Sequence, residues 1–464
     1  MKKSTIFTLT LFMLSYFCVF AQSDDEFFDN DGGFFSSEED LFGNDDGIDI
    51  IEEVSAKTDL SKGILFENGS IKIGGIFTTS VSVQTVLCSE QEKSFGENLK
   101  DTILSPKANA FLSVDARPNQ NLRMYTKFGI KYPYSVNANL VNPNPLITSQ
   151  KPDYNTKISV KDWFTLKELF TDFSVADTAF FRFGLHTVTW GAGYFFSPVS
   201  DLINTSSINP EDTTAQVDGS LNLRTQIIFP NSQNCLWFYV IPSTDFISNT
   251  TAESYLRDTA LAGKADIVIG NWELGVGGFW KYQNAPKAML TATGSLKNIS
   301  IFGEFVWRYG SDSEWKENSD WDNKTNIIQA TAGLSRYWKN PAIMLAAQYY
   351  YDGNDIDFLH KYLTYGHNIA ATANFGKILG NSDFTANIFA MVNFGKEDIP
   401  DFMASLISEN SLNLVNTFVL SGMVNYSPIS ALTVGMGPYI TWKTFENKPT
   451  VSLKITATLG GGKF

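Results

Sequence analysis

The chain has 464 residues, of which 14% are aromatic and 18% charged, and its mean hydropathy of -0.10 is typical of a soluble protein. A formal net charge of -14 excludes the basic stripe of a nucleic-acid-binding protein. Three cysteines are too few for a disulfide framework. Beyond the N-terminus, no stretch has the roughly 18 consecutive apolar residues that a membrane-spanning helix requires.

The N-terminus has the features of a secretory signal peptide over residues 1–21. Lys2 and Lys3 precede an apolar core at 6–20, and Val19 and Ala21 fit a cleavage site before Gln22. The mature chain is therefore expected to leave the cytoplasm. In an oxidising compartment Cys88 and Cys235 either form one disulfide or stay as two free thiols.

Residues 22–62 form an acidic segment with several Phe pairs. Residues 1–62 hold 14 acidic and 4 basic side chains, a net charge of -10, whereas the other 402 residues hold 35 and 31, a net of -4. So acidic a segment cannot bury enough apolar surface to order itself. It is predicted to be a disordered periplasmic tail, with docking of a partner through the Phe pairs as the alternative.

From residue 63 to 464 the pattern changes to short segments in which apolar and polar residues alternate. In LRMYTKFGIKY, residues 122–132, the residues that face one way are apolar or small, and those that face the other way are mostly polar. Alternation over about ten residues is the signature of a transmembrane β-strand. Eighteen strands are predicted, with 16 as the alternative count, at residues 70–87, 107–117, 120–132, 163–175, 177–190, 219–230, 233–242, 259–270, 271–282, 287–296, 298–310, 325–338, 341–351, 366–377, 382–394, 412–426, 430–442 and 449–464.

The connections alternate between tight turns and mostly long polar loops. Outer-membrane barrels have short periplasmic turns and long extracellular loops, so this parity predicts an all-β, antiparallel up-and-down transmembrane barrel. An even strand count places both termini on the periplasmic side. Phe464 ends the last strand and resembles the recognition signal of the barrel-assembly machinery.

Charged residues follow the predicted inward rows of several strands. Facing basic and acidic columns would orient a polar solute inside a channel, while the alternative is that the pairs only neutralise each other and brace the wall. The predicted pore-lining residues are Arg123, Lys127, Lys131, Glu168, Asp172, Arg182, His186, Arg224, Lys264, Asp266, Glu304 and Arg308, with Asp115 beside them. Aromatic girdles are predicted from tryptophans near strand ends, at Trp163, Trp190, Trp237, Trp280, Trp307, Trp338 and Trp442.

Enzyme chemistry has little support in the sequence. The glycines at 191–193 and 275–278 do not open a predicted helix, so a nucleotide-binding loop is not indicated. The three histidines, at 186, 360 and 367, are scattered, which leaves neither a metal site nor a catalytic triad. No enzymatic activity, catalytic residue, metal or cofactor is predicted.

The stretch LHTVTWGAGYFFSPVSDLIN, residues 185–204, carries a family resemblance. With the preceding Gly184, it resembles a segment of porin-like outer-membrane barrels of the alginate-export and phosphate-selective type, in which a strand of the form G-x-Q-x-x-x-W-G leads into a loop with Pro and Asp. His186 stands where Gln is usual, and PVSD at 198–201 is looser than the common N-P-x-D. The acidic leader looks spirochaete-like.

This resemblance implies a diffusion channel with a constricting loop. We expect an outer-membrane porin that passes small hydrophilic solutes passively, as a monomer or a trimer in outer-membrane lipid. The alternatives are a substrate-specific transporter for hydrophobic solutes and a surface adhesin. The third long loop is expected to fold inward, with its constriction formed by Trp190, Gly191, Gly193, Pro198 and Asp201.

Overall fold

A computed structural model describes most of the predicted barrel. The described residues are 57–59, 64–89, 94–100, 102–132, 164–176, 178–213, 217–243, 251–354, 364–378, 380–396, 417–429, 431–443 and 447–463. The predicted signal peptide, nearly all of the acidic tail, Trp163 and Phe464 lie outside these residues, so the predictions made for them stay predictions.

The described residues are almost entirely β-strand. Two short strands come first, β1 (Lys57–Asp59) and β2 (Ile64–Asn68). The longer strands are β3 (Ile71–Cys88), β4 (Ile103–Asn119), β5 (Leu122–Tyr132), β6 (Phe164–Val175), β7 (Ala179–His186), β8 (Ser220–Ile228), β9 (Cys235–Ile241), β10 (Ala260–Ile269), β11 (Trp272–Lys281), β12 (Lys287–Leu296), β13 (Ile299–Tyr309), β14 (Asn326–Trp338), β15 (Ile343–Asp352), β16 (Thr364–Phe375), β17 (Phe384–Gly395), β18 (Thr417–Ile429), β19 (Leu432–Lys443) and β20 (Thr450–Lys463). The connections contain the helices α1 (Phe95–Lys100), α2 (Ala252–Arg257) and α3 (Asp312–Lys316), and 3-10 turns at Ser200–Leu202 and Trp321–Asn323.

Strand pairing closes the sheet into a barrel. Each strand from β3 to β20 pairs antiparallel with the next one along the chain, and β20 pairs back with β3, for example Ile455 with Val83. Closure satisfies the backbone hydrogen bonds of every strand without an open edge. The predicted 18-stranded antiparallel barrel is therefore confirmed. β2 extends the sheet beside the first residues of β3, and β1 pairs with β2, a small hairpin that the sequence did not predict.

The connections agree with the predicted alternation. Those at one end of the barrel are tight, such as 270–271 and 297–298, whereas those at the other end include 89–102, 187–219 and 310–325. No helix among the described residues is long and apolar enough to cross a membrane, a finding that does not bear on crossing by strands.

The outer face of the barrel is apolar between aromatic ends. On β11 the outward positions include Trp272, Leu274, Val276 and Trp280, which are 36%, 42%, 51% and 48% exposed. The eight residue steps from Trp272 to Trp280 rise about 26 Å along the strand, or about 20 Å along the axis of a barrel with strands tilted about 40°, close to the usual apolar band of about 25 Å.

Two of the predicted girdle tryptophans do not lie on this outer face. Trp190 and Trp237 are 4% and 8% exposed and pack inside the barrel. Trp237 alternates with the exposed Phe238, which places it on the inner face of β9. The girdle prediction is wrong for these two residues, because a tryptophan near a strand end also suits a packed interior.

Candidate functional site

The connection between β7 and β8, residues 187–219 and here called the inner loop, enters the barrel. Its backbone contacts Glu304 on β13 and Gln348 on β15, which lie five and seven strands from β8 around the closed sheet. Both contacts are made near the middle of a strand and on its buried face. A loop can reach these positions only by crossing the interior.

The first residues of the inner loop are hydrogen-bonded to residues further along it. Asn204 accepts a hydrogen bond from the Val188 N–H at 2.8 Å and donates one to the Val188 carbonyl at 2.7 Å. The Thr187 hydroxyl donates to the Val217 carbonyl at 2.7 Å. Beyond the last backbone pairing of β7 with β8, the Asn204 side chain thus makes the two hydrogen bonds that a neighbouring strand would make, and it joins the start of the loop to a later part of it.

The tip of the inner loop is closed by two serines. Ser200 Oγ accepts the N–H groups of Trp190 and Gly191, each at 3.1 Å. Ser197 Oγ and Ser200 Oγ lie 2.8 Å apart, at hydrogen-bonding distance, and both serines are buried. Pro198, between them, is also buried. These bonds join the two ends of the segment 190–200 within the loop itself.

Glu304 is surrounded by donors from the inner loop. Its carboxylate accepts the Gly193 N–H at 2.8 Å, the Val199 N–H at 3.1 Å and the Ser197 hydroxyl at 3.0 Å. The side chain is 3% exposed. Three hydrogen-bond donors of the loop thus converge on one buried side chain. Glu304 therefore fixes the inner loop to β13.

The two glycines beside Glu304 allow this approach. A Cβ atom on Gly191 would collide with the Glu304 carboxylate, and one on Gly193 would collide with the Phe196 carbonyl and crowd the same carboxylate. Neither glycine has a positive φ. In the structure the role of these glycines is to let the carboxylate touch the backbone.

Gln348 makes a second attachment next to the first. Its Oε1 atom accepts three consecutive backbone N–H groups, from Tyr194, Phe195 and Phe196, at 3.0, 2.7 and 3.3 Å. Its Nε2 atom donates to the Phe196 carbonyl and to Thr331 Oγ1, both at 2.6 Å. Gln348 is 2% exposed and uses both ends of its amide.

Lys264 makes a third contact. Its ammonium donates to the Trp190 carbonyl at 2.8 Å and pairs with Asp266 at 2.9 Å. Asp266 also accepts the indole N–H of Trp237 at 2.7 Å. Cys235 lies in the same buried region, while Cys88 is exposed, and the two form no disulfide. Lys264 and Asp266 thus lie beneath the inner loop.

Apolar packing accompanies the polar contacts. One cluster joins Val188, Trp190 and Val199 to the inner faces of β9–β13, including an edge-on contact of Trp190 with Tyr239 at 4.7 Å. A second cluster seats Phe195, 1% exposed, against β15–β18. Burying a side chain of this size contributes roughly 1.5–3 kcal/mol. The inner loop is therefore packed as a core element on one side of the barrel.

The wall that begins at β4 carries a chain of ion pairs. Arg123 bonds to Asp115 at 3.0 Å and lies 3.7 Å from Asp172, which in turn receives Arg182 at 2.6 Å. The Arg182 guanidinium also lies 3.9 Å from the centre of the Phe170 ring. These contacts cross from β4 to β7, so the four side chains share one face.

This chain of ion pairs ends at Arg224 without a carboxylate. Arg224 pairs in register with Arg182, is 5% exposed and lies over the Trp237 ring at 5.4 Å. Among the described residues, the Nε of Arg224, Nε2 of His186 and Oδ1 of Asn222 are buried and lack a hydrogen-bond partner. Their strands β7 and β8 bring these three groups to one face.

The remaining predicted pore residues are divided between this wall section and β13. Lys127 is opposite Glu168 in register and lies 5.5 Å from the Phe111 ring, and Lys131 is exposed near the end of β5. Arg308 donates to Asn354 at 3.0 Å and lies 3.7 Å from Asp312.

Asp201 is the one charged residue among the predicted constriction positions. It belongs to the 3-10 turn at Ser200–Leu202 and lines a small cleft of the inner loop, about 70 Å³ in volume, with Thr189, Ser197 and Asn204. Burial raises the pKa of the Asp201 carboxyl to about 6, the nearby Asp352 adds to this rise, and a hydrogen bond with Ser207 opposes it.

The sequence motif and the structure overlap in part. The five predicted constriction residues all belong to the inner loop, whereas Glu304, Lys264 and Asp266 lie under it. Sequence reasoning missed Gln348, Ser197 and Ser200. Gln348 is the one strongly polar residue amid an apolar run, IMLAAQ, and an inward polar residue in such a run is the signal that could have found it.

Comparison with known proteins gives likeness of fold only. No family model and no curated protein matches the sequence. Among solved structures, a triple mutant of the Rhodopseudomonas blastica porin is 12% identical, with 84% of this chain and 99% of that chain covered and a TM-score of 0.39. OccK9 (OpdG) of Pseudomonas aeruginosa is 9% identical, with coverage of 84% and 98% and a TM-score of 0.48. A BenF-like porin from Pseudomonas fluorescens is 7% identical, with coverage of 84% and 98% and a TM-score of 0.47. Such distant likenesses carry no information about solute or mechanism.

Proposed function

We propose that this protein is an outer-membrane porin, a passive diffusion channel for small hydrophilic solutes. The observation that carries the proposal is a closed 18-stranded barrel in which the connection between β7 and β8 is hydrogen-bonded to buried side chains of β13 and β15. Barrels of 16–18 strands are too wide for side chains alone to fill. The inner loop would reduce that space to a channel of selective width.

The proposed location follows from the chain's organisation. A signal peptide at 1–21 would export the chain, and the barrel-assembly machinery would insert it with Phe464 as part of its signal. The tail at 22–62 would then lie in the periplasm, and the long connections would face outward. Surface proteolysis of intact cells tests this orientation, since cleavage within 310–325 but not in the tail is expected.

Conductance is the direct test of the channel. The full mature chain, refolded and inserted into planar bilayers, should give discrete open channels whose current rises with salt concentration. Swelling of liposomes in neutral sugars of increasing size would give the exclusion limit. A folded barrel without conductance would reject the porin and favour the adhesin, whereas uptake confined to apolar solutes would favour the hydrophobic-solute transporter.

Arg224 is proposed to set part of the ion preference. It is the cation at the end of the ion-pair chain, and no salt bridge to it is present among the described residues. A desolvated positive charge in a channel wall favours anions. The reversal potential in a potassium chloride gradient should shift toward cations in Arg224→Gln. The matched control is Arg117→Gln, because Arg117 already bonds to Asp115 at 3.3 Å; equal shifts in both variants would reject the role.

A further inference from the structure

We propose that Glu304 and Gln348 form a two-point latch, a pair of positioning residues that holds residues 191–199 of the inner loop against the wall and thereby sets the channel width. The effect of the latch on channel width rests on the proposed function. The position of the loop against the wall does not depend on it.

The need for a latch follows from backbone hydrogen bonding. The N–H and C=O groups of a barrel wall are used by neighbouring strands, so a segment that crosses the interior must find side-chain partners or water. Between Gly193 and Val199 five backbone N–H groups are taken up by just two side chains. Loss of either side chain would leave several N–H groups unsatisfied in a largely buried position.

The chemistry of the two side chains differs, which makes the latch testable. All three partners of Glu304 are donors, two N–H groups and the Ser197 hydroxyl, so both oxygens must act as acceptors. Glu304→Gln keeps the shape but turns one oxygen into a donor facing a donor. Gln348 must accept with one end and donate with the other, so Gln348→Glu keeps the acceptor for three N–H groups and loses the donor to the Phe196 carbonyl.

The chain offers matched controls for both residues. Glu168→Gln removes the same charge from the barrel wall but has no contact with the inner loop among those described here, because Glu168 faces Lys127 on β5. Gln84→Ala removes a glutamine from β3, where its register partners are Lys454 and Ile103, and is compared with Gln348→Ala. Each pair of variants shares its chemical change and differs in contact with the loop.

Two measurements test the latch independently. Limited proteolysis with chymotrypsin, with cleavage mapped by mass spectrometry, reports release of Tyr194 and Phe196, which flank the buried Phe195. Heat-modifiable migration on gels identifies the assembled barrels, and only assembled protein is scored. In Glu304→Gln and Gln348→Ala, cleavage at 194–196 should appear and single-channel conductance should rise at least about two-fold as the open section widens.

The outcomes separate the latch from the porin. Cleavage in the latch variants with both controls intact supports the latch even if no variant conducts, in which case the proposed function alone fails. The latch would be overturned if the wild type forms channels while both latch variants keep an uncleaved loop and unchanged conductance. If Gln348→Ala does not assemble, the same cleavage assay is applied to Gln348→Glu, which keeps the acceptor and loses the donor to the Phe196 carbonyl. Cleavage at 194–196 in that variant supports the latch, and an uncleaved loop counts against it.

Discussion

At the scale of single residues, small changes in geometry decide how the inner loop sits. Gly191 and Gly193 face the Glu304 carboxylate at a distance that no larger side chain permits. The glycines of the WGAG motif stand out in the sequence, but the partner that explains them, Glu304, lies 111 residues beyond Gly193. A local motif can mark such a position, while the reason for it depends on a distant side chain.

Substitution of these glycines should therefore change the channel without preventing assembly. In Gly191→Val with Gly193→Val, the added carbons displace Glu304 from the loop backbone, so conductance should change while the heat-modifiable barrel still forms. Gly263→Ala is the control, because a Cβ there meets its neighbours at ordinary contact distance, 3.4 Å or more. Unaltered conductance in the double variant would contradict the close-approach role.

Asp201 gives the channel an expected pH dependence. With its pKa raised to about 6, the carboxyl is neutral below that pH and negatively charged above it. Acidification from pH 8 to pH 4 should therefore remove one negative charge and shift the reversal potential toward anions, with a midpoint near pH 6. Asp201→Asn should show the low-pH selectivity throughout, and a midpoint retained in that variant would assign the titration to another group.

At the scale of elements, the end of β7 shows how a strand pattern can continue beyond the strand. Alternation predicts a strand to residue 190, whereas β7 ends at His186. Val188 and Trp190 are buried and Thr189 is exposed, because the extended loop packs one face against the wall. Period-two patterns report one buried face and do not distinguish a paired strand from an extended loop lying on strands.

Apolar packing should contribute to the position of the inner loop as much as its hydrogen bonds do. Phe195 is 1% exposed and its ring centre lies 5.9 Å from that of Phe389. Phe195→Ala removes this packing, which typically costs about 3–5 kcal/mol, so cleavage through local opening at Tyr194 or Phe196 should accelerate about 100-fold or more. Phe238→Ala, at a residue 50% exposed on the outer face, is the control and should leave that rate unchanged.

At the scale of the whole molecule, the barrel could be predicted from sequence, whereas the contacts between the inner loop and the wall could not. Strand number, order and parity depend on alternation and turn spacing, which each segment shows by itself, and all 18 predicted strands correspond to β3–β20. The contacts of Glu304 and Gln348 join residues 105–154 positions apart, for which no local pattern exists. The β1–β2 hairpin was missed because it lies beside an acidic segment that reads as disordered.

Membrane placement of the whole barrel gives the last prediction. Val276 lies midway between Trp272 and Trp280 on the outer face, whereas Leu296 lies on the outer face beside the tight turn at 297–298. An arginine on the lipid face destabilises a barrel by about 2–4 kcal/mol at the midplane and about 0–1 near the interface. Val276→Arg should therefore lower the free energy of unfolding in lipid vesicles far more than Leu296→Arg. In detergent micelles, which adapt more readily around a charge, the difference should shrink. Equal losses for both variants in vesicles would mean that the band between Trp272 and Trp280 does not lie across a bilayer, and the proposed outer-membrane position would then fail with it.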